Sequence, residues 1–284
     1  MPPATSNTSR TPLPLPAALR WLQQIEFPRK LGFCDRLFGS RLARHGVQWV
    51  RTAPGPVWPL DLANPTHRWI VYGGYEGPAL WNWLRARPSV VRTVVDSGAN
   101  IGQTVLYFAA LVPAARIWAY EPGSAARDWL QAGVAANNFT QVQVEPAGLG
   151  AVAGTARLAS CGADDRHGSW NKVNAAEGEP IVLATLDGEL ARHGLAELDL
   201  WKLDMEGYEL EALRGAASAL AAGRIRAVYI EIAGEPGQAC LEFLTARGYR
   251  AHTLTPAGRP VALSPRHAYD NVLCLAPGHP DLPA

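Results

Sequence analysis

The 284 residues carry 26 basic against 25 acidic side chains, a formal net charge of +1, and 48% of them are hydrophobic. That length and apolar content suffice for a full α/β core, and so even a charge balance excludes a general nucleic-acid or anionic-membrane binder. No apolar run reaches the ~20 residues that cross a bilayer, and the opening MPPATSNTSRTPLPLP lacks the basic-then-apolar pattern of an export signal, so a cytoplasmic protein acting on a small molecule is expected, with no membrane or nucleic-acid partner.

Residues 1–15 are rich in Pro, Ser and Thr, offer little apolar surface to offset chain entropy, and are expected to be disordered. Between 16 and 88 the sequence predicts a small cap. Two short amphipathic helices, AALRWLQQI and CDRLFGSRLARH, precede a hairpin formed by VQWVRT and PVWPLDL around Gly55-Pro56. From 89 to 284 strand and helix patterns alternate. VVRTVVD, ARIWAYE, VQVEPAG, LDLWKLD and IRAVYIEI read as strands, with IGQTVLYFAALV, SAARDWLQAGVAANN and ELEALRGAASALAAG as helices between them. In the last of these, Leu210, Leu213, Ala217 and Leu220 form one stripe and Gly223 is the stop. Such alternation predicts a doubly wound, mostly parallel sheet. GYRAHTL and NVLCLA then suggest a closing antiparallel pair on one edge. About 50 residues separate the third and fourth strands, an insertion of the kind that covers a ligand crevice.

Candidate chemistry gathers where these strands end. Val91 to Gly102, VRTVVDSGANIG, reads strand, tight turn, helix. Gly98 and Gly102 free the backbone for a ligand, Asn100 tolerates a left-handed turn, and Asp96 can accept hydrogen bonds from a cationic or hydroxylated group. A dinucleotide fingerprint wants its middle glycine where Asn100 stands, and an acid at the strand tip repels a pyrophosphate but suits the ammonium of S-adenosylmethionine. A nicotinamide oxidoreductase is the enzymatic alternative, and a cofactor-binding protein without turnover the non-enzymatic one. Asp96, Glu121 and Asp204 end successive strands and should converge on one crevice, with Glu121 placed to fork onto two ribose hydroxyls. Asp204 and Glu206, at a strand-to-helix junction with Gly207, can steer a hydroxyl, act as base or hold a divalent cation. His167, in the polar insertion, is a further candidate base, with Trp170 a candidate stacking platform. Cys34, Cys161, Cys240 and Cys274 form no Cys-x-x-Cys pair, so neither a zinc site nor a disulfide framework is indicated.

DSGANIG at 96–102, YEP at 120–122, SW at 169–170, TLD at 185–187, KLDMEGYELEALRGA at 202–216 and IEI at 230–232 resemble, in order and spacing, the FkbM family of S-adenosylmethionine-dependent methyltransferases. GGYEG at 73–77 looks like that family's upstream Gly-x-Tyr-Glu element, which would add Tyr75 and Glu76 to the cofactor contacts. The resemblance implies a Rossmann-like class I methyltransferase fold, a seven-stranded sheet whose last strand is antiparallel, and methyl transfer to hydroxyls of sugars or macrolide-type metabolites. By position, Asp96, Gly98, Asn100 and Gly102 would hold the methionine part, Glu121 the ribose, and Asp204 with Glu206 the region of the transferred methyl. Ser97 stands where the family usually has a hydrophobic or small residue, often Val or Ile, and the polar loop before Ser169 is long.

Overall fold

The computed structural model describes residues 11–52, 55–73, 78–160, 171–174, 177–263 and 269–280. The N-terminal part holds helices at Ala17–Leu22, Lys30–Cys34 and Ser40–Ala43, the last two joined by a π-helical turn, and the expected hairpin of β1 (Val47–Arg51) and β2 (Val57–Asp61). Asp35 in that turn ties the helix Pro65–Val71 to it: its Oδ1 accepts from Arg68 Nε at 2.7 Å and Tyr72 Oη at 2.9 Å. The stretch expected to be disordered is docked from Leu13 on. Leu13 N donates to Trp49 O at 2.7 Å, and Leu15 is buried; two leucines suffice to anchor a segment that its Pro and Thr content alone would leave free.

Next come β3 (Thr93–Ser97), β4 (Arg116–Tyr120), β5 (Val142–Glu145), β6 (Ala147–Leu149), β7 (Gly154–Ser160), β8 (Asn171–Asn174), β9 (Glu179–Ala184), β10 (Leu200–Leu203), β11 (Ala227–Ala233), β12 (Arg250–Leu254), β13 (Pro260–Ala262) and β14 (Tyr269–Leu275). The main sheet runs β13-β12-β14-β11-β10-β3-β4-β5, with β11, β10, β3, β4 and β5 parallel. All residues of β3 and β10 are buried, as expected of strands covered on both faces. The antiparallel pair is present but not as an edge. β14 inserts between β11 and β12, antiparallel to both, and the short β13 holds the edge as an eighth strand. A strand that follows β12 and β13 in the chain thus occupies an interior slot, which periodicity cannot show.

One face of the sheet packs Val94, Ile117, Ala119, Leu200, Tyr229 and Leu273 against the helices Pro78–Arg85 and Val105–Leu111. The other packs Trp118, Tyr120, Trp201, Leu203 and Val228 against helices that include Leu186–Arg192 and Gly234–Thr245. The cap is continuous with this body, because Leu19, Trp58, Leu60 and Ile70 share a core with Ile101, Leu106, Ala126 and Trp129.

The insertion forms its own sheet, ordered β6-β9-β7-β8, and β6 follows β5 after a single residue. The helix expected over 209–223 is two helices, Glu209–Arg214 and Ala217–Ala221. They divide at Gly215, where a Cβ would stand 2.0 Å from Gly150 O. The break moves the buried stripe to Ala212, Leu213, Ala216, Ala219 and Leu220, while Gly223, at φ +65°, is the stop expected.

Candidate functional site

Strand alternation decides which side chains meet at the carboxyl ends. Asp96 and Lys202 are register partners on β3 and β10, two residues beyond the core pair Val94 and Leu200. Lys202, 2% exposed, also pairs with Tyr229 on β11. One step further on the same face are Asp204 and Glu231, the latter opposite Asn271 of β14. The face is therefore apolar at one end and charged at the other.

Asp96 is fully buried: Oδ2 accepts from Thr104 Oγ1, while Oδ1 has no hydrogen-bond partner among the described residues. Burial pushes its carboxyl up, against the pull of the Lys202 ammonium and with a further push from Asp204. Lys202 Nζ lies 3.0 Å from Asp204 Oδ2. Glu231 is hydrogen-bonded to Asp204, and burial first, then the charges of Asp204 and Glu209, raise its pKa. Glu209 fastens the turn after Asp204, its Oε1 accepting from Met205 N at 2.7 Å and Gly207 N at 3.2 Å. Glu206 and Gly207 are both left-handed there, at φ +55° and +95°.

Glu121 is not a solvated acid. It is 6% exposed, and its Oε2 accepts from Asn100 N and its Oε1 from Gly123 N, both at 2.8 Å. Burial raises its pKa to about 7, and Asp96 adds to the rise. Asp96 thus raises Glu121 and is itself raised by Asp204, so charge on Asp96 links the acids at the ends of the three strands.

The glycine corner is built as a turn, with Gly98, Asn100 and Gly102 at φ +78°, +49° and +94°. The room left by the missing side chains is used by protein: a Cβ on Gly98 would lie 1.9 Å from Asp204 O, and one on Gly102 would lie 2.8 Å from Leu130 Cδ1. The two glycines therefore bring the β3 turn against the β10 turn and against the helix Ser124–Ala136. Two of the N–H groups expected to face a ligand are also engaged, Asn100 N by Glu121 and Ile101 N by the Asn100 side chain.

Tyr75, Glu76, His167 and Trp170 lie outside the described residues. Lys202, Glu231 and Glu209 went unassigned in the sequence. Lys202 and Glu209 stand inside the KLDMEGYE run, and a lysine two residues before a strand-terminal acid was the available signal. Glu231 owes its place to pairing of β10 with β11, which no local pattern encodes.

Among the described residues one group has metal-ligand spacing, Glu145, Glu189 and His193. It sits on the opposite face with Tyr120, whose hydroxyl donates to Glu189 Oε2 at 2.7 Å, and the Arg192 guanidinium already bridges Glu145 and Glu189. Asp204 and Glu206 belong to no such group. Cys34, Cys240 and Cys274 are buried and free.

A parallel sheet in this order, its last strand antiparallel and inserted, with acids at the tips of β3, β4 and β10, is the Rossmann-like class I methyltransferase architecture. Residues 96–251 match the family model described as the methyltransferase FkbM domain. The chain belongs to that family, and the nicotinamide alternative has no support. It is 30% identical to "Methyltransferase sdnD" of Sordaria araneosa, over 43% of this chain and 59% of that protein. It is 27% identical to "Methyltransferase 1" of Beauveria bassiana (strain ARSEF 2860), over 43% of this chain and 57% of that one. The chain thus spans less than two thirds of the length of these relatives. Among solved structures, a TehB-like SAM-dependent methyltransferase from Corynebacterium glutamicum aligns at 11% identity and a TM-score of 0.43, over 75% of this chain and 95% of that one. No helix among the described residues is long and apolar enough to cross a membrane.

Proposed function

We propose that the protein transfers a methyl group from S-adenosylmethionine to a hydroxyl oxygen of a small molecule, a sugar or a specialised metabolite. The observation that carries this reading is the buried Asp96 Oδ1, without a partner among the described residues, within a cluster whose acids outnumber its one buried lysine. A lone carboxylate oxygen in such a place favours a cationic group strongly, because an unpaired buried acceptor costs about 1–3 kcal/mol. The residues fit the cofactor. Asp96 would hold the ammonium end, and Glu121, with lone pairs left on both oxygens, the ribose. Tyr75 and Glu76 are assigned to the cofactor by the family motif alone.

When bound, the cofactor supplies an electrophilic methyl on a sulfonium. The residues' part is alignment and the handling of one proton. Asp204, held by Lys202, orients the acceptor hydroxyl, and the hydrogen-bonded pair of Asp204 and Glu231 takes its proton. Glu206, on the adjacent turn, and His167, from the insertion, remain candidate partners for the acceptor. No step requires a metal, though a divalent ion at Asp204 and Glu206 is compatible with their chemistry.

Isothermal titration with S-adenosylhomocysteine tests the cofactor half, and a protein that binds neither it nor S-adenosylmethionine ends the proposal. Mass spectrometry of a metabolite extract incubated with methyl-labelled cofactor tests the acceptor half. Label on nitrogen or carbon in place of oxygen would overturn the O-methylation assignment.

A further inference from the structure

A cavity of about 550 Å³ opens between the second sheet and the turn after Asp204; Ala156, Val173, Leu183 and Tyr208 are among its lining residues. Two contacts set it beside the candidate site. Ser124 N, just after the Glu121 turn, meets Glu179 at the start of β9 at 3.2 Å. Tyr208, four residues after Asp204, stands against Gly150, where an added Cβ would be 3.3 Å from its ring. The second sheet is therefore fastened to the turns following Glu121 and Asp204, with the cavity near the latter.

Its lining is mixed: Ala156, Val173, Pro180 and Leu183 are apolar, and Thr155, Arg157 and Tyr208 are polar. Ala156 and Val173 pack with the buried Leu158, Ile181 and Leu183 in one apolar cluster. Arg157 also lines the cavity, but alternation places its side chain on the other face of β7, where Nη1 donates to Gly178 O at 2.9 Å. Arg157 thus spends one donor on the protein itself. Thr155 and Tyr208 each bring a hydroxyl to the lining, that of Tyr208 from the turn after Asp204. Burial raises the pKa of Tyr208, keeping it a donor at neutral pH.

We propose that this cavity seats the body of the methyl acceptor: an uncharged, ring-sized compound with an apolar face against Ala156, Val173 and Leu183 and an oxygen accepting from Tyr208 Oη. The volume suits such a body, since small-molecule sites span roughly 300–1,000 Å³. A bare sugar offers this floor a smaller apolar face than a fused ring does. The inference rests on the methyltransferase reading for the word acceptor, but the cavity's preference can be tested alone.

The test uses the intact chain and the fluorescence of 2-naphthol, a neutral fused ring with one hydroxyl, beside methyl α-glucoside as a polar control. The wild type should bind 2-naphthol and not the glucoside. Ala156→Trp, which fills the floor, should weaken 2-naphthol about tenfold or more, and Tyr208→Phe about 3- to 10-fold, the loss of one hydrogen bond. Affinity for S-adenosylhomocysteine should stay within about twofold in both. Unchanged 2-naphthol affinity in Tyr208→Phe and Ala156→Trp overturns the proposal, as does a glucoside that binds more tightly than 2-naphthol and is displaced by the Trp. If Ala156→Trp fails to melt cooperatively, Tyr208→Phe decides alone. If the wild type shows the full 2-naphthol pattern yet never binds S-adenosylhomocysteine, the cavity stands and the methyl-transfer reading falls.

Discussion

Glu121 holds two backbone N–H groups while buried, and its raised pKa makes that arrangement sensitive to pH. Between its ordinary value of 4.5 and the folded value of about 7, the folded protein keeps a proton that the unfolded chain has released. Stability should therefore fall as pH rises through that window, by up to ~1.4 kcal/mol per pH unit from this group. Thermal melts of the cofactor-free protein at pH 5 and pH 7.5 check it: Glu121→Gln should show a flatter difference than wild type, and an equal difference would place the titration elsewhere. Asp204→Asn, on the proposed mechanism, should lower turnover more than affinity for S-adenosylhomocysteine. An equal loss in both would assign Asp204 to the cofactor or the fold. Ser97, the position out of keeping with the family, has a structural reason, since its Oγ accepts from the buried Trp201 Nε1 at 2.8 Å. Ser97→Val should cost about 1–3 kcal/mol in urea denaturation, the penalty of a buried donor left without its acceptor, and a variant as stable as wild type would show that another group takes that proton. At this scale the sequence makes Asp96, Glu121 and Asp204 legible because each ends a patterned strand. Lys202 and Glu231 are not, because their meaning lies in which strand neighbours which.

Two junctions between elements are made at glycines. Gly98 admits the carbonyl of Asp204, and Gly215 that of Gly150, each at a separation no Cβ tolerates. Gly98→Ala combines that clash with a φ of +78° and should cost on the order of 4 kcal/mol or more, read as a loss of soluble, cooperatively melting protein. A fully stable alanine variant would mean that the two turns separate freely. The spacing of glycines in the sequence marks a strand-turn-helix corner correctly. It does not say whether the space above each glycine is for a ligand or for another turn, since both need the same residue. The insertion was likewise visible as excess length, while its folding into a second sheet depends on β6 leaving the main sheet one residue after β5.

Across the whole molecule, the cap at 16–88 is continuous in packing with the sheet body that follows it. Leu19, Trp58 and Ile70 bury the same surface as Leu106 and Trp129, so a protein truncated to 89–284 should bare that surface and lose cooperative melting or solubility. A truncated form that melts like the full chain would show the cap to be an accessory. The alternation of strand and helix patterns makes the parallel half of the sheet readable at a distance. The antiparallel half is less so, because the slot taken by β14 is chosen by its neighbours β11 and β12 after both exist.

That slot has a consequence for how the protein is made. Because β14, Tyr269–Leu275, separates β11 from β12, neither can form its final hydrogen bonds on that side until residue 275 has left the ribosome. A nascent chain must carry an open seam through the centre of one half of its sheet until β14 slides in. Closing this half of the sheet therefore waits on β14, with β11 an exposed template until it arrives.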